Sequence, residues 1–207
     1  MSIPNLNEEK KLWKKGFKRV VGLDEVGRGP LAGPVVAAAV LLIHNSKFLI
    51  PKLRDSKKLT PKKREEFYKL IIKNPQIKWG IGKVSEKVID KINILEATKL
   101  AMIRAIKNLE RKPDFLIIDG NFKLNLPIPQ KSIVKADEKV FSVALASIIA
   151  KVKRDHLMRN LAKKYSKYGF EKHKGYGTLQ HRTLLKKHGP CSIHRKSFRP
   201  VRSLTLD

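Results

Sequence analysis

The 207-residue chain has a single cysteine, Cys191, so no disulfide can form within it. That usage agrees with a reducing compartment. No apolar run approaches the roughly 20 residues that a membrane helix requires. Residues 1–15 also lack the apolar stretch and small-residue cleavage site of a signal peptide. We therefore expect a soluble, cytoplasmic protein that does not associate with membranes, and the length favours one compact domain.

Acidic residues are scarce, because 18 Asp and Glu face 46 Lys and Arg and leave a formal net charge of +28. Such an excess favours a polyanionic partner, above all nucleic acid. The basic residues are spread along the whole chain, so the folded domain itself should carry the positive field. Composition does not choose between DNA, RNA, a ribosome and an anionic membrane, and a merely solvated basic surface remains the alternative.

Apolar runs alternate with helix-like segments, which predicts an α/β fold. Helices are expected over residues 61–72, from Asn93, where Glu96 completes a capping box, and from about residue 139 to 165. We expect strands at residues 20–23, 35–43, 77–84 and 115–118, with a weaker candidate at 133–134.

From residue 166 the chain is basic and glycine-rich, with aromatic and histidine residues interspersed. We expect this part to pack on the core as an appendage rather than to fold alone. The predicted organisation is an N-terminal extension over 1–19, a catalytic core over 20–165 and a C-terminal substrate-binding extension over 166–207.

Acidic residues stand where three predicted strands end, although a polar turn is the simplest interpretation of each. Asp24 and Glu25 follow the first strand, Asp119 closes the fourth and Asp137 follows the fifth. Because the carboxyl ends of neighbouring strands can converge on one point, these carboxylates can share a site. Their mutual repulsion is usually compensated by divalent cations. Oxygen ligands without a His or Cys cluster favour Mg²⁺ or Mn²⁺ over zinc, as in nucleases, phosphatases and polymerases.

The loop at residues 27–33 (GRGPLAG) has a glycine spacing close to the dinucleotide-binding pattern. That site needs a helix directly after the loop, whereas a predicted strand follows Pro34 here. A tight connection between strands is one interpretation. The other is that small residues let the backbone approach a nucleic-acid strand, with Arg28 contacting a phosphate.

Residues 21–36 (VGLDEVGRGPLAGPVV) resemble the first signature of the ribonuclease HII family, and this signature is long and specific. Further blocks follow in the family's order over about residues 20–201, and only the stretch 123–130 is hard to align. They are residues 55–60 (DSKKLT), 118–120 (IDG), 136–137 (AD) with 146–155 (ASIIAKVKRD), 173–178 (HKGYGT) and 192–198 (SIHRKSF).

The resemblance implies a ribonuclease H-like fold with a central mixed sheet, flanking helices and a C-terminal helical extension. It implies a monomeric endonuclease that uses Mn²⁺ or Mg²⁺ to cut the RNA strand of RNA·DNA hybrids. The enzyme would also cut 5′ to single ribonucleotides in duplex DNA, leaving a 3′-hydroxyl and a 5′-phosphate. The implied metal-binding and catalytic residues are Asp24, Glu25, Asp119 and Asp137, and the implied substrate contacts are Gly27, Arg28, Gly29, Lys57, Lys58 and Tyr176.

The resemblance also assigns roles to the substrate contacts. Residues 27–29 would read the junction between ribonucleotide and deoxyribonucleotide, since backbone groups beside the 2′-hydroxyl detect the one group that DNA lacks. Tyr176 would press against the sugar after the junction, although an aromatic residue in a turn is an equally simple interpretation. Lys57 and Lys58 would lie beside the substrate groove, and a solvated charge run is their alternative.

Asp155 competes with Asp137 for the fourth carboxylate position. If one helix joins them, the 18 intervening positions span about 27 Å at 1.5 Å per residue, too far for one metal centre. We expect Asp137 to join the site and Asp155 to form an ion pair or a helix-face contact. The six histidines lack metal-ligand spacing and are expected to be surface, capping or phosphate-contacting residues.

Two other functions compete with this interpretation. The related ribonuclease HIII carries an additional N-terminal domain, which the roughly 20 residues before the first predicted strand cannot supply. A non-catalytic basic RNA-binding or ribosome-associated protein would explain the charge, but the intact set of carboxylates argues against it.

Overall fold

A mixed five-stranded β-sheet forms the centre of the computed structural model, which describes residues 3–43 and 59–204. The sheet order is β3-β2-β1-β4-β5. β1, β2 and β3 are antiparallel neighbours, whereas β4 runs parallel to β1, and β5 parallel to β4. This confirms the predicted mixed sheet. The strands are β1 (Val20–Val26), β2 (Val35–Leu42), β3 (Ile77–Val84), β4 (Phe115–Asp119) and β5 (Gln130–Ile133).

Helices cover both faces of this sheet. Alternate residues of β2 point to opposite faces, so Ala37, Ala39 and Leu41 pack against α3 (Glu86–Lys107). Their neighbours along the strand pack against α2 (Pro61–Lys73) and α4 (Phe141–Lys164). Burial on both sides explains why β2 is a continuous apolar run instead of an alternating one. Within the described ranges, no helix has the length and apolar character needed to cross a membrane.

Several boundaries differ from the predictions. β1 continues to Val26, so Asp24 and Glu25 lie inside the strand rather than after it. The helix expected from Asn93 begins earlier, at Glu86, and Asn93 is a kink with φ 63°. The cap itself is present, since Asn93 Oδ1 accepts the amide N–H groups of the two residues Leu95 and Glu96.

The N-terminal segment packs on the start of α4. Glu9, in α1 (Asn7–Lys14), is fully buried, and its Oε1 accepts the Ser142 amide N–H at 2.8 Å. A carboxylate at this position satisfies an amide that has no partner in the helix and interacts favourably with the helix dipole. Burial raises the pKa of Glu9.

The C-terminal segment packs on the loop between β1 and β2. It contains α5 (Phe170–His173), α6 (Leu179–His188) and α7 (Arg199–Arg202). Phe170 and Ile193 share an apolar cluster with Ala32 and Met158. The backbone of residues 193–195 also runs antiparallel to residues 31–33, with two amide hydrogen bonds of 2.8 Å. The segment therefore buttresses the glycine-rich loop.

Candidate active site

The parallel pairing of β1 with β4 brings two carboxylates together. Leu23 pairs with Ile118, so the next residues, Asp24 and Asp119, emerge side by side at the carboxyl ends of the two strands. Asp24 is 5% exposed, and its Oδ1 accepts the Glu25 amide N–H at 2.7 Å. The expected convergence of strand-end acids is therefore present.

Asp137 reaches the same place from a single 3-10 turn (Ala136–Glu138) that follows β5. Asp119 Oδ1 accepts the Ala136 amide N–H at 2.7 Å, which ties this turn to the end of β4. Asp137 is 1% exposed. The structure brings all four predicted carboxylates into one cleft, lined by Asp24, Glu25, Val26, Gly27, Arg28, Gly29, Arg64, Asp119, Asp137, Ser147, Ile148, Lys151 and Tyr176.

The cleft concentrates negative charge in a buried place. Burial and the charges of Glu25, Asp119 and Asp137 raise the pKa of Asp24 well above its usual range, against a hydrogen bond from Ser147. Burial also raises the pKa of Glu25 to about 7, although Arg28 opposes this shift. A cation in the cleft would offset the repulsion among the carboxylates, which adds to the effect of burial on both pKa values.

The donor set fits a hard divalent cation. Glu25 Oε2 is buried and has no hydrogen-bond partner among the described residues, as expected of an oxygen kept for an ion. Every acidic group in the cleft offers oxygen, the ligand atom that Mg²⁺ and Mn²⁺ prefer. No three acids, histidines or cysteines of residues 3–43 and 59–204 form a ready-made ion site.

The predicted substrate contacts lie on the rim of this cleft. Gly27, Arg28, Gly29 and Tyr176 all line it, and Tyr176 is 40% exposed. Arg28 Nη1 lies 3.3 Å from Glu25 Oε1, so its guanidinium pairs with a carboxylate in this arrangement. Lys57 and Lys58 fall outside the described residues.

Three further polar residues that sequence reasoning did not select line the cleft. They are Arg64, Ser147 and Lys151. Ser147 and Lys151 are four positions apart in α4, a spacing that puts both side chains on one helix face. This spacing within residues 146–155, a block that resembles the family, is the sequence signal that could have identified both residues. Lys151 Nζ also binds Asp155 Oδ1 at 2.9 Å, so Asp155 forms the expected ion pair and does not line the cleft.

The expectation for the histidines is wrong in part, because His173, His181 and His194 are buried in the C-terminal segment. His194 Nδ1 accepts the amide N–H of Cys191 at 2.9 Å, so a neutral His194 carries its proton on Nε2. That proton is donated to His181 Nε2, 3.1 Å away. His181 then carries its own proton on Nδ1 and donates it to the Tyr176 carbonyl at 2.9 Å. Two neutral imidazoles thus support the backbone of Tyr176.

Comparison with known proteins agrees with this geometry. The family described as ribonuclease HII matches residues 21–201. A ribonuclease HII of Chlamydia trachomatis is 52% identical over 202 residues, covering 95% of this chain and 92% of the relative. The crystal structure of ribonuclease H2 from Pyrococcus horikoshii superposes with a TM-score of 0.73 at 28% identity, covering 91% and 97% of the two chains. A structure titled Bst-RNase HIII in complex with Mn²⁺ shares the fold, with a TM-score of 0.66 at 19% identity over 91% of this chain and 69% of that one.

Proposed function

The chain belongs to the ribonuclease HII family and is a ribonuclease H endonuclease, and on that premise we propose that it acts in the carboxylate cleft. Its substrates are the RNA strand of RNA·DNA hybrids and single ribonucleotides in duplex DNA, which it cuts on the 5′ side. The observation that carries this proposal is the meeting of four carboxylates beside a glycine-rich loop and an exposed tyrosine.

Asp24, Glu25, Asp119 and Asp137 are the proposed catalytic residues, and they would hold Mg²⁺ or Mn²⁺. Once bound, such ions activate a water molecule and stabilise the leaving 3′-oxygen, which yields a 3′-hydroxyl and a 5′-phosphate. The support comes from the oxygen-only donor set, the buried Glu25 Oε2 and the raised pKa values of Asp24 and Glu25. The Mn²⁺ complex of a protein with this fold agrees with that chemistry.

Residues on the rim of the cleft are proposed to recognise the ribonucleotide. Backbone groups of Gly27, Arg28 and Gly29 would contact the 2′-hydroxyl, and Tyr176 would press against the following sugar. A net charge of +28 supplies attraction to the phosphates on both sides of the cut. The residues 166–207, which contribute Tyr176, would serve as a substrate-binding extension of the core over 20–165.

The decisive experiment uses a labelled DNA duplex that carries one ribonucleotide. We expect cleavage 5′ to the ribonucleotide with Mg²⁺ or Mn²⁺ and none in EDTA. The downstream fragment should accept ligation directly, because it would carry a 5′-phosphate. The all-DNA duplex of the same sequence should stay intact and serves as the matched control.

The same experiment can contradict the proposal. Cleavage in EDTA would exclude the cation role of the carboxylates. A cut on the 3′ side would contradict the proposed position of cleavage. A 2′,3′-cyclic phosphate end would mean that the 2′-hydroxyl is the attacking group and not a recognised one. Light scattering of the purified protein, with and without the duplex, would test our further proposal that it acts as a monomer.

A further inference from the structure

Arg195 is a fully buried arginine whose guanidinium contacts the glycine-rich loop. Its Nη2 donates to the Gly27 carbonyl at 2.5 Å, and its Nη1 donates to the Arg28 carbonyl at 2.8 Å. Nε and Nη2 also donate to the Gly33 carbonyl at 3.0 and 2.8 Å. One side chain thus holds three carbonyls of the loop that lines the cleft.

This arrangement is costly to build if it serves stability alone. No carboxylate within the described ranges forms an ion pair with Arg195, so its charge rests on carbonyl dipoles and on the Phe198 ring at 4.9 Å. Burial lowers the pKa of Arg195 to about 9, which shows how poorly the site solvates a cation. Burying a charged group costs desolvation free energy that its partners must offset, so a buried charge is weak evidence of a contribution to stability. A role in fixing one conformation explains the residue better.

The conformation that Arg195 fixes follows from peptide geometry. The C=O and N–H of a trans peptide point in opposite directions, and the described residues contain no cis peptide. With the carbonyls of Gly27 and Arg28 turned toward Arg195, the amide N–H groups of Arg28 and Gly29 point away from it. Arg195 does not line the cleft, whereas these loop residues do. The two N–H groups therefore lie on the side of the loop opposite the Arg195 guanidinium.

The Cα of Gly29 borders open space. A Cβ at Gly29 would meet no atom within 4 Å, although one at Gly27 would lie 2.2 Å from Arg154 Nε. Neither the Arg28 nor the Gly29 amide donates a hydrogen bond within the described part of the chain. Two successive amides without an acceptor in the described part of the chain can together bind an oxygen.

We infer that Arg195 is the positioning residue for ribonucleotide recognition, because it holds the amides of Arg28 and Gly29 toward the 2′-oxygen and the adjoining phosphate. This inference rests on the proposed function, since it names the residue that orients the loop proposed to recognise the ribonucleotide. Arg195 acts through the loop backbone and does not touch the substrate.

Replacement of Arg195 leaves the local backbone held by other bonds. Gly33 donates its amide N–H to Ile193, and residue 195 donates its own amide N–H to Leu31, both at 2.8 Å. Neither bond involves the guanidinium. Arg195→Ala should therefore fold, with the 27–29 loop released from its fixed peptide orientation.

The test compares cleavage of a single-ribonucleotide duplex with inhibition by the all-DNA duplex of the same sequence. For Arg195→Ala we expect kcat/KM on the ribonucleotide duplex to fall about 10- to 100-fold, the loss typical of groups misplaced by about 1 Å. The inhibition constant of the all-DNA duplex should change less than about twofold, because phosphate contacts elsewhere supply that affinity. Millimolar guanidinium should restore part of the activity, whereas NaCl at equal ionic strength should not.

Met158→Ala is the matched control, because Met158 is buried beneath the same loop but contacts none of its carbonyls through a polar atom. It should lower the thermal midpoint and keep the selectivity for the ribonucleotide duplex. Equal loss of selectivity in both variants without guanidinium rescue would mean that Arg195 is merely structural. Retained selectivity in Arg195→Ala would also overturn the inference. Absence of selectivity in the unmodified protein would instead contradict the proposed function.

Discussion

Asp119 positions Asp137 indirectly, through the 2.7 Å hydrogen bond that its Oδ1 accepts from the Ala136 amide N–H. The bond joins the end of a central strand to the 3-10 turn that carries the fourth carboxylate. Because Asp137 is buried at the cleft, we expect Asp137→Asn to lower turnover at least about 100-fold. That loss exceeds the roughly 10- to 100-fold typical of residues that only support metal ligands.

Asp155→Asn provides the contrast to that variant. It removes one partly buried ion pair with Lys151, four positions earlier in α4, and a helix pair at this spacing contributes about 0.3–0.5 kcal/mol. Turnover should stay within about twofold, with a small fall in the thermal midpoint. Kinetics and melting of the two variants measure this. The reverse pattern would show that the carboxylate assignment is wrong.

Asp24→Asn should separate activity from stability. Burial and the neighbouring carboxylates raise the pKa of Asp24. In EDTA the neutral amide avoids both the buried charge and the repulsion, so the thermal midpoint should rise by a few degrees, as roughly 1 kcal/mol would produce. Adding Mn²⁺ should stabilise the unmodified protein more than the variant, and cleavage should be almost lost. Calorimetric scans with and without Mn²⁺ test this, and a variant with normal turnover would exclude Asp24 from the site.

Arg28→Ala and Tyr176→Ala should weaken junction recognition more than duplex binding. We expect cleavage at a single ribonucleotide to fall about tenfold, equivalent to one lost contact of roughly 1.4 kcal/mol. Cleavage within an all-RNA hybrid strand should fall less. The ratio of the two kcat/KM values is the measurement, and equal losses on both substrates would argue against a junction-reading role.

The two glycines of the loop should behave differently when changed to alanine. Gly27 has φ +94°, and its Cβ would lie 2.2 Å from Arg154 Nε, so Gly27→Ala should cost about 1–3 kcal/mol of stability. Gly29→Ala meets open space and should melt normally, but the methyl group would obstruct the substrate backbone and reduce cleavage. Melting curves and cleavage rates distinguish the two variants. A lowered thermal midpoint or an unfolded Gly29→Ala protein would contradict this interpretation.

Acid should weaken the C-terminal segment through its buried imidazoles. Burial lowers the pKa of His181 and His194 from 6.5 to about 4. Between those values the unfolded chain binds more protons than the native one, so this contribution to stability rises with pH and is complete above about 6.5. The facing groups Tyr168, His173 and Cys191 add no carboxylate that would reverse the sign.

Glu25 contributes the opposite sign, because its raised pKa of about 7 makes the native state bind the extra proton. The test therefore uses the difference between two proteins. The thermal midpoint of the unmodified protein minus that of His194→Gln should increase from pH 4 to 6.5 and then stay constant. His188→Gln, at an exposed histidine of α6, is the control. A flat difference for His194→Gln would mean that the imidazole is not held neutral.

The residue pattern by itself determined the α/β architecture and marked acids near strand ends, while the resemblance to the ribonuclease HII family singled out four of them. The apolar run of β2 required cover on both faces, and the acids at strand ends required neighbouring strands with converging carboxyl ends. Both features can be recognised locally, because strand alternation and strand ends depend on residues that are adjacent in the sequence. Asp24, Glu25, Asp119 and Asp137 are therefore candidates that the sequence offers, and their role as one catalytic set is what the family resemblance implies.

The contacts that support those residues arise from tertiary packing. Arg195 is 162 positions from Gly33, whose carbonyl it holds, and no periodicity connects them. His181 and His194 look like ordinary polar residues in a basic segment, yet they are buried because Phe170 and Ile193 pack that segment against the core. Hydrogen bonds between side chains and backbone carbonyls that are distant in sequence depend on which segments pack together in the folded chain. Tertiary packing determines these contacts, and local residue patterns do not encode them.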